Sequence, residues 1–358
     1  MKTKHFLLFI LLTGFILNGC DKEETAAPSP DPNNQPQFDH SLIMSRGSEG
    51  KIVLTNPVDG KDLFVSDPPV PAPADVKSLK AGYMCKNALF VSKTFLRDYV
   101  TSIYVCDAKT GADARAITGN DLNVQDINVS PAGPNVVFTG KPKDNPEYKS
   151  LYTINEDGSG LTHISEHLEI VSGPNGGSYQ LQTMEFPVFS PDGSKIAADA
   201  LVVSYPQPDT FYDFIVIMNN DGTDKESIYS VLGKNIQIKD LCWTQDGNFL
   251  LFVQIDNDDA FHRRIKALNM SSRTVTDLTS ALEIEGDQVN DIYTSPNSDK
   301  IVFNLHLGGG SDLYIAKYET HDDVLTIKGS PVKLTDKAVS GYKYYLPSWQ
   351  KWDENMSK

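Results

Sequence analysis

A strand-turn-strand segment recurs four times in this chain. In each copy an apolar run leads into a turn rich in proline, aspartate or glycine, and a second apolar run follows at residues 127–138, 186–198, 241–252 and 292–303. Proline presets the backbone of the first turn position and glycine accepts a positive φ, so the pattern is typical of a β-hairpin. The matching positions Pro131, Pro191, Gln245 and Pro296 are 60, 54 and 51 residues apart, which indicates a repeat architecture.

Two further strand-like segments follow each hairpin. The third is apolar and ends in Asp-Gly, as at residues 150–158 and 213–222, and the fourth is short and ends in Leu-Thr or Ile-Ser. Four antiparallel strands in about 40 to 60 residues make one blade of a β-propeller. The motif pair Phe-Pro-x-Phe-Ser-Pro-Asp-Gly at 186–193 and Leu-Tyr-x-Ile-Asn-x-Asp-Gly at 151–158 resembles the TolB-like, or WD-like, propeller repeat. The resemblance covers about residues 41–352.

The number of blades follows from the second apolar run of each unit. These runs lie near Leu54, Phe90, Phe138, Ala198, Phe252 and Phe303, which predicts six blades. The first unit lacks a clear first strand, and residues 344–350 are a first strand with nothing after it. We therefore predict an all-β, six-bladed β-propeller over residues 41–358, with four-stranded antiparallel blades, closed by the C-terminal strand joining the N-terminal blade. Five blades with disordered ends is the alternative count.

The N-terminal segment has the features of an export signal. Lys2 and Lys4 precede an apolar run that continues to Leu17, which is too short for a mature membrane span and typical of a signal peptide. Residues 17–20, Leu-Asn-Gly-Cys, resemble a bacterial lipoprotein box, which implies a signal peptide at 1–19 and lipidation of Cys20. Residues 21–24, Asp-Lys-Glu-Glu, resemble the acidic surface-export signal of Bacteroidota lipoproteins. That resemblance implies an outer-membrane protein exposed at the cell surface, and a periplasm-facing protein is the alternative.

Residues 20–40 are predicted to be a disordered tether. The segment contains Pro28, Pro30, Pro32 and Pro36 among polar neighbours, a composition that cannot bury a core. We expect contact with the membrane only through the lipid anchor, and a monomer. The net charge of -15 argues against nucleic acid as a partner, because the two would repel each other.

The remaining cysteines give one candidate disulfide. Cys85 and Cys106 flank a predicted hairpin, and a turn between Phe95 and Leu96 would place them opposite each other. A cross-strand disulfide is then geometrically feasible, although a shift of one residue would point them to opposite faces. Cys242 is interpreted as a buried core thiol.

No sequence motif predicts catalysis. The chain has no Gly-x-Ser-x-Gly, no His-Glu-x-x-His and no P-loop. None of its histidines from His163 onward falls at the inner-strand position of the repeat, where a channel metal would need ligands. We therefore expect a protein that is not an enzyme and has no cofactor, apart from the divalent cation considered next.

Acidic residues recur at the entry to the innermost strand. Asp126, Asp240 and Asp291 lie five residues before Pro131, Gln245 and Pro296, and Glu185 lies one residue from the same position in its own repeat. Innermost strands line the central channel, so these carboxylates are predicted to gather at one mouth of it. There they would attract a divalent cation or a basic peptide. The alternative is a structural role, in which each aspartate accepts backbone hydrogen bonds.

Longer loops are predicted on the same side of the propeller. Their aromatic and polar side chains suit a recognition surface, and the candidate contacts are Tyr205, Phe211, Tyr212, Phe261 and His306. Solvated loops without a ligand are the alternative. The function predicted from the sequence is a noncatalytic binding or scaffold lipoprotein of the cell envelope, with a protein, peptide or glycan partner. A metal-dependent polysaccharide lyase or hydrolase using the channel is the second hypothesis, and a purely structural envelope element the third.

Overall fold

The computed structural model describes most of the chain between residues 41 and 351. The described ranges are 41–46, 51–57, 61–66, 78–82, 87–93, 101–119, 121–145, 147–206, 210–232, 236–256, 262–282, 289–296, 299–307, 310–335 and 345–351. The predicted signal peptide, Cys20 and the tether lie outside them, as do Cys85 and Phe261. Within these ranges every regular element is a β-strand, and a search for a helix able to span a membrane finds none.

The strands are numbered in chain order. They are β1 (Ser41–Arg46), β2 (Ile52–Thr55), β3 (Asp62–Ser66), β4 (Ser78–Ala81), β5 (Asn87–Lys93), β6 (Thr101–Asp107), β7 (Arg115–Ala116), β8 (Leu122–Val129), β9 (Asn135–Pro142), β10 (Ser150–Asn155), β11 (Thr162–His163), β12 (Ile170–Ser172), β13 (Ser178–Phe189), β14 (Lys195–Ser204), β15 (Phe211–Asn219), β16 (Glu226–Leu232), β17 (Ile236–Trp243), β18 (Phe249–Asp256), β19 (His262–Asn269), β20 (Val275–Asp277), β21 (Val289–Thr294), β22 (Lys300–Leu307), β23 (Gly310–His321), β24 (Val324–Lys333) and β25 (Tyr345–Lys351).

These strands form six antiparallel sheets, which are the six blades. From the innermost strand outward, blade 1 contains β25-β1-β2-β3, blade 2 β4-β5-β6-β7, blade 3 β8-β9-β10-β11, blade 4 β13-β14-β15-β16, blade 5 β17-β18-β19-β20 and blade 6 β21-β22-β23-β24. The prediction of a six-bladed propeller is confirmed. The alternative of five blades is wrong, because residues 41–66 and 345–351 together make a complete sheet.

The innermost strands close into a ring. Each contacts the innermost strand of the next blade, in the order β25, β4, β8, β13, β17, β21 and back to β25. Strand β25 pairs antiparallel with β1, with Trp349 opposite Ile43. Strand β1 therefore has a hydrogen-bonded neighbour on both sides, so the C-terminal strand covers the edge that blade 1 would otherwise expose.

Blade 4 is longer than its neighbours. Strand β13 begins at Ser178, eight residues before Phe186, whereas β17 begins at Ile236, four residues before the equivalent Asp240. The short strand β12 pairs with the start of β13 and adds a fifth strand to the sheet. Residues 170–180 therefore form a hairpin. Blade 4 thus extends beyond the ring at the end where the innermost strands begin, which is called the entry face below.

Aromatic side chains on the second strands fill the space between blades. Phe90, Phe138, Phe252 and Phe303 have no exposed surface, and Ala198 at the equivalent position of blade 4 is also fully buried. The sequence suggested Leu54 for the second strand of blade 1, but Leu54 lies on the third strand, because β25 supplies the innermost strand and β1 the second. In blade 4 the small Ala198 leaves room for Phe214, which packs in the same cluster. Truncating such a buried aromatic to alanine typically costs about 3–5 kcal/mol. These residues therefore make the ring-shaped core that the sequence predicted.

The turns opposite the entry face explain why the Pro-Asp-Gly motif recurs. In blade 4, Asp192 accepts hydrogen bonds from the Ser190 hydroxyl and the Ser194 backbone N–H at 2.6 and 3.0 Å. Gly193 has a φ of 71°, a left-handed conformation that favours glycine. A side-chain acceptor and a glycine thus fix the hairpin turn through contacts within a few residues.

Candidate binding site at the entry face

The innermost strands of blades 3 to 6 are interrupted at one repeat position. The register shifts lie between Val124 and Ile127, Glu185 and Val188, Lys239 and Cys242, and Asn290 and Tyr293. At these bulges Phe186, Asp240 and Asp291 have φ values of 50°, 53° and 49°. Aspartate adopts this backbone more readily than most residues, and a bulge re-aims the neighbouring side chains. The aspartates of blades 5 and 6 therefore have a structural cause in the backbone itself.

The three predicted aspartates meet at the mouth of the channel. Asp126, Asp240 and Asp291 line one cavity of 160 Å³. Glu185 does not line it, because the bulge of blade 4 places Phe186 at the equivalent position. The Asp291 backbone N–H donates a hydrogen bond to Asp240 Oδ2 at 3.3 Å, which joins the innermost strands of blades 5 and 6. The carboxylates are therefore close together, as a ligand site would require. Asp240 also accepts one backbone hydrogen bond, as the structural hypothesis would require.

The channel mouth also contains a lysine that the sequence analysis did not identify. Lys80 of β4 lines the same cavity, and its Nζ lies 5.2 Å from the centroid of the Tyr293 ring. That distance is within the range of a cation-π contact. Lys80 carries a positive charge next to three carboxylates, so the protein itself supplies one cation at this mouth.

Burial and charge shift the acid-base properties of these groups. Burial lowers the pKa of Lys80, and Asp291, Asp240 and Asp126 oppose that shift. Burial raises the pKa of Asp126 to about 7, with Glu185 and Asp240 adding to the shift and Lys149 and Lys80 opposing it. The pKa of Asp240 is also raised by burial, against the hydrogen bond from Asp291. At neutral pH the mouth is therefore less negative than three ionised aspartates would make it.

A larger cavity lies between blades 4 and 5, next to the channel mouth. Its volume is 500 Å³, and it shares Phe186 with the channel-mouth cavity. It adjoins, at Ile238, the apolar cluster that joins the two blades. That cluster also includes Ala197, Ile215 and Leu250. We call the cavity itself the interblade cavity. Its lining residues are Lys149, Thr183, Glu185, Phe186, Asp199, Leu201, Phe211, Asp213, Ile236, Gln237, Ile238 and Lys239.

Strand register places three carboxylates side by side in the interblade cavity. Glu185 of β13 is directly opposite Asp199 of β14, and Leu201, two residues further along β14, is opposite Asp213 of β15. Residues two apart in a strand share a face, so the three carboxylates lie on the side of blade 4 that faces blade 5. Glu185 is paired with Lys149. Asp213 Oδ2 accepts the Ile238 backbone N–H at 3.2 Å, which ties blade 4 to blade 5.

Only one oxygen of Asp199 lacks a partner, because the Ala200 backbone N–H donates a hydrogen bond to this carboxylate. It is 9 % exposed, and its Oδ1 is buried without a hydrogen bond in the described structure. Burial first, and then Asp213 and Glu185, raise the pKa of Asp199 well above its usual range, with Lys239 acting against the shift. Burial likewise raises the pKa of Asp213 to about 6. An unpaired carboxylate oxygen of this kind costs free energy in the folded state, unless a ligand or solvent supplies a donor.

The predicted aromatic contacts fall in different places. Phe211 lines the interblade cavity, whereas Tyr212, the next residue of β15, packs on the other face against Phe214. Tyr205 is half exposed at the end of β14, on the entry face. His306 belongs to β22, where its backbone is opposite Ser311.

The predicted register of the Cys85–Cys106 hairpin is wrong. Cys106 of β6 is opposite Ala88, and its thiol is free and buried. The partner of Cys106 is therefore three residues further along the chain than Cys85, since the hairpin is centred near residue 97, with Lys93 opposite Thr101. Cys106 packs in an apolar cluster with Ala88 and Phe90. Cys242 is a free buried thiol, as predicted.

The residues that sequence reasoning missed are Lys80, Asp199 and Asp213. Lys80 stands two residues after the aspartate position, in a blade whose motifs are weak. A charged residue inside an otherwise apolar strand is a signal that could have found Asp199, which follows Ile196-Ala197-Ala198. Asp213 gives the same signal between Tyr212 and Phe214, but only the register of β14 and β15 brings it beside Asp199.

Comparisons with known proteins identify the fold. No protein-family model matches this chain, and no curated protein does. Among solved structures, TolB from Acinetobacter baumannii aligns with a TM-score of 0.53 at 15 % identity, over 88 % of this chain and 67 % of that one. A TolB candidate from Agrobacterium tumefaciens aligns with a TM-score of 0.54 at 12 % identity, over 87 % of this chain and 98 % of that one.

A third structural neighbour has a different activity. Hydrazine synthase from Kuenenia stuttgartiensis aligns with a TM-score of 0.60 at 13 % identity, over 87 % of this chain and 48 % of that one. At such identities the alignments show a shared fold alone, and propeller folds carry unrelated functions. Two of these three structural neighbours are described as TolB, which agrees with the fold that the repeat motif implied, and the function of this chain has to be argued from its own residues.

Proposed function

We propose that this chain is a noncatalytic binding or scaffold lipoprotein of the cell envelope, which presents its entry face to a protein, peptide or glycan. One observation carries the proposal. The channel-mouth cavity and the interblade cavity adjoin at Phe186, and together they line the entry face with carboxylates, lysines and aromatic rings. Concave surfaces with a few placed polar groups are typical of binding sites.

The anchor in this proposal is the lipid on Cys20. The lipoprotein-box resemblance of residues 17–20 and the acidic residues 21–24 support an outer-membrane protein of the Bacteroidota type, exposed at the cell surface. A periplasm-facing orientation is the alternative. In either orientation, about 20 residues of proline-rich tether would let the propeller reach a partner away from the membrane.

The competing hypothesis is a metal-dependent polysaccharide lyase or hydrolase that uses the channel. Such an enzyme needs several metal ligands converging on one point. Within the part of the chain that the structure describes, no group of three histidine, cysteine or acidic side chains is arranged to hold a metal ion. The three channel-mouth aspartates also face Lys80, which a metal ion would have to displace or tolerate.

A matched pair of glutamine variants tests the proposal. Gln237→Arg adds a bulky cation to the interblade cavity at the entry face, and Gln245→Arg adds the same group at the opposite end of the channel. Full-length protein in detergent is immobilised and exposed to envelope extracts and to glycan arrays, and any ligand is then purified and titrated. We expect reversible binding that Gln237→Arg weakens and Gln245→Arg leaves intact.

The same samples separate binding from catalysis. The released ligand is examined for new reducing ends and for unsaturated uronic-acid ends, with and without a chelator. We expect the ligand to return chemically unchanged. Cleavage that the chelator abolishes would replace the proposal by the enzyme hypothesis, and equal loss of binding in both glutamine variants would show that the entry face is not the contact surface.

A further inference from the structure

The interblade cavity is large, and one of the carboxylates that line it has a buried oxygen without a hydrogen-bond partner. Asp199 is more than nine-tenths buried and lines the cavity, and its Oδ1 has no hydrogen-bond partner in the described structure. Nearly all buried polar atoms in folded proteins have a partner, so an exception in a cavity points to a missing donor. A volume of 500 Å³ is within the range of small-ligand sites, about 300–1,000 Å³.

The other groups in the interblade cavity define what the missing donor must be. Facing Asp199 are Glu185 from β13, Asp213 from β15, Lys239 from β17, and Lys149 just before β10. Glu185 pairs with Lys149, and the Lys239 Nζ lies 5.8 Å from the centroid of the Phe186 ring. When all are ionised, three carboxylates face two ammonium groups. The raised pKa of Asp199 indicates that a proton offsets this negative excess, and a cationic group that donates hydrogen bonds would replace that proton.

The rest of the lining is suited to an aliphatic chain. Phe186, Leu201, Phe211 and Ile236 supply apolar surface around the carboxylates. An anionic ligand would meet the unpaired Asp199 oxygen, and a neutral polyol would leave the acidic excess uncompensated. A primary ammonium on a short alkyl chain satisfies both features, because its head donates to carboxylates while its stem packs on apolar side chains.

We propose that the interblade cavity binds the ammonium group of an alkylamine, with Asp199 and Asp213 as acceptors and Phe186 and Phe211 flanking the alkyl chain. The amine is either a free small molecule or a lysine side chain of a partner. This inference names the ligand chemistry of the proposed binding face and so rests on the proposed function. It is tested with small amines, so it can fail while a larger partner still binds elsewhere on the face.

Calorimetric titration of the full-length protein in detergent tests the site. The probe is n-pentylammonium, the neutral control is 1-pentanol, and acetyl-Gly-Lys-Gly-amide is the peptide probe. We expect saturable binding of pentylammonium and none of pentanol. Tighter binding of the peptide than of pentylammonium assigns the site to a lysine side chain, and the reverse order assigns it to a free amine. Equal binding of pentylammonium and pentanol, or none of either amine, overturns the proposal.

Two variants and one control locate the site. Asp199→Asn keeps the side-chain shape but loses the charge, and should weaken binding by about tenfold to a hundredfold, the effect of one charge-assisted hydrogen bond. Leu201→Trp keeps every carboxylate and should weaken binding by placing an indole ring beside Asp199 and Asp213, in the path of the alkyl chain. Asp144→Asn makes the same charge change at an exposed position away from the cavity and should bind as the wild type does. Unchanged binding in both Asp199→Asn and Leu201→Trp would refute the location.

The pH dependence provides a readout that a structural role would not produce. The pKa of Asp213 is raised to about 6 and that of Asp199 is also raised, while an alkylammonium stays charged throughout this range. Lowering the pH from about 8 to about 5 protonates the acceptors and should weaken binding, with proton release on binding near the midpoint. Affinity that is independent of pH over this interval would contradict the assignment of the acceptors.

Discussion

The Lys80 Nζ lies 5.2 Å from the centroid of the Tyr293 ring. Lys80 belongs to the innermost strand of blade 2 and Tyr293 to that of blade 6, so the contact joins the two blades on either side of blade 1. Blade 1 is the one assembled from both ends of the chain. Lys80 and the three aspartates therefore lie next to blade 1, where the ring closes. We expect charge changes at the channel mouth to affect the stability of the whole propeller.

Replacing Lys80 by methionine should destabilise the protein. The substitution keeps the length of the side chain but removes the cation that Asp126, Asp240 and Asp291 share, and losing one partner of a buried charge cluster costs on the order of 3 kcal/mol. Denaturant unfolding at neutral pH measures the loss. Lys317→Met, at an exposed position of β23, is the matched control and should change stability little. The Lys80→Met deficit should shrink at lower pH, where the aspartates are protonated.

Asp126 should make stability fall as pH rises toward neutrality. Its pKa is raised to about 7 in the folded protein, against about 3.9 in an unfolded chain, so between these values the folded state binds the extra proton. The free energy of unfolding that this group contributes is therefore fully present near pH 4 and lost as the pH passes 7. Asp126→Asn should flatten this part of the stability profile. A slope that persists unchanged would assign the proton uptake to other groups.

The calcium response should depend on Lys80. A ligand that binds only the folded state at a hundred times its dissociation constant stabilises it by about 2.7 kcal/mol. Lys80→Met removes the ammonium group that the three carboxylates share, so calcium should raise its unfolding temperature more than that of the wild type. Asparagine at 126, 240 and 291 in the Lys80→Met background should remove the effect. The hypothesis of a cation at the channel mouth fails if calcium shifts neither protein.

Removal of the C-terminal strand should open the ring. Deleting residues 344–358 takes away β25, which pairs with β1, and so leaves the edge of blade 1 uncovered. We expect aggregation, or a large drop in the unfolding temperature, measured by light scattering and calorimetry. Deleting residues 21–37 removes a similar length of chain from the predicted tether and should change the unfolding temperature little. Similar stabilities of the two truncated proteins would contradict this account of closure.

Replacing Cys20 by serine should release the protein from membranes. A lipid on this residue is the proposed membrane anchor, and we expect the mature chain to attach to the bilayer only through it. Fractionation after a high-salt wash distinguishes anchored from soluble protein. Cys242→Ser, at a buried core position, tests whether loss of any cysteine causes release. Retention of Cys20→Ser in washed membranes would disprove lipid anchoring.

The local sequence determines the repeating parts of this protein. The turn at Ser190-Pro191-Asp192-Gly193 is specified by its own residues, because hydrogen bonds to Asp192 and the positive φ of Gly193 form within a few positions. Such local rules repeat with the sequence, so the strand pattern, the six blades and the common position of Asp126, Asp240 and Asp291 could all be predicted. The first-strand pattern at residues 344–350 likewise allowed the prediction that the C-terminal strand joins the N-terminal blade.

Only the tertiary structure decided which side chains meet in the candidate site. Lys80 reaches the aspartates because four innermost strands converge on one channel, although these residues are far apart in sequence. Asp199 and Asp213 became neighbours through the register of β14 and β15, and the missed Cys106 register shows how a shift along a ladder changes every pair. Pairing across strands depends on loop lengths and on packing between blades, which no single segment encodes. The interblade cavity therefore follows from assembly, whereas the blades themselves follow from local sequence.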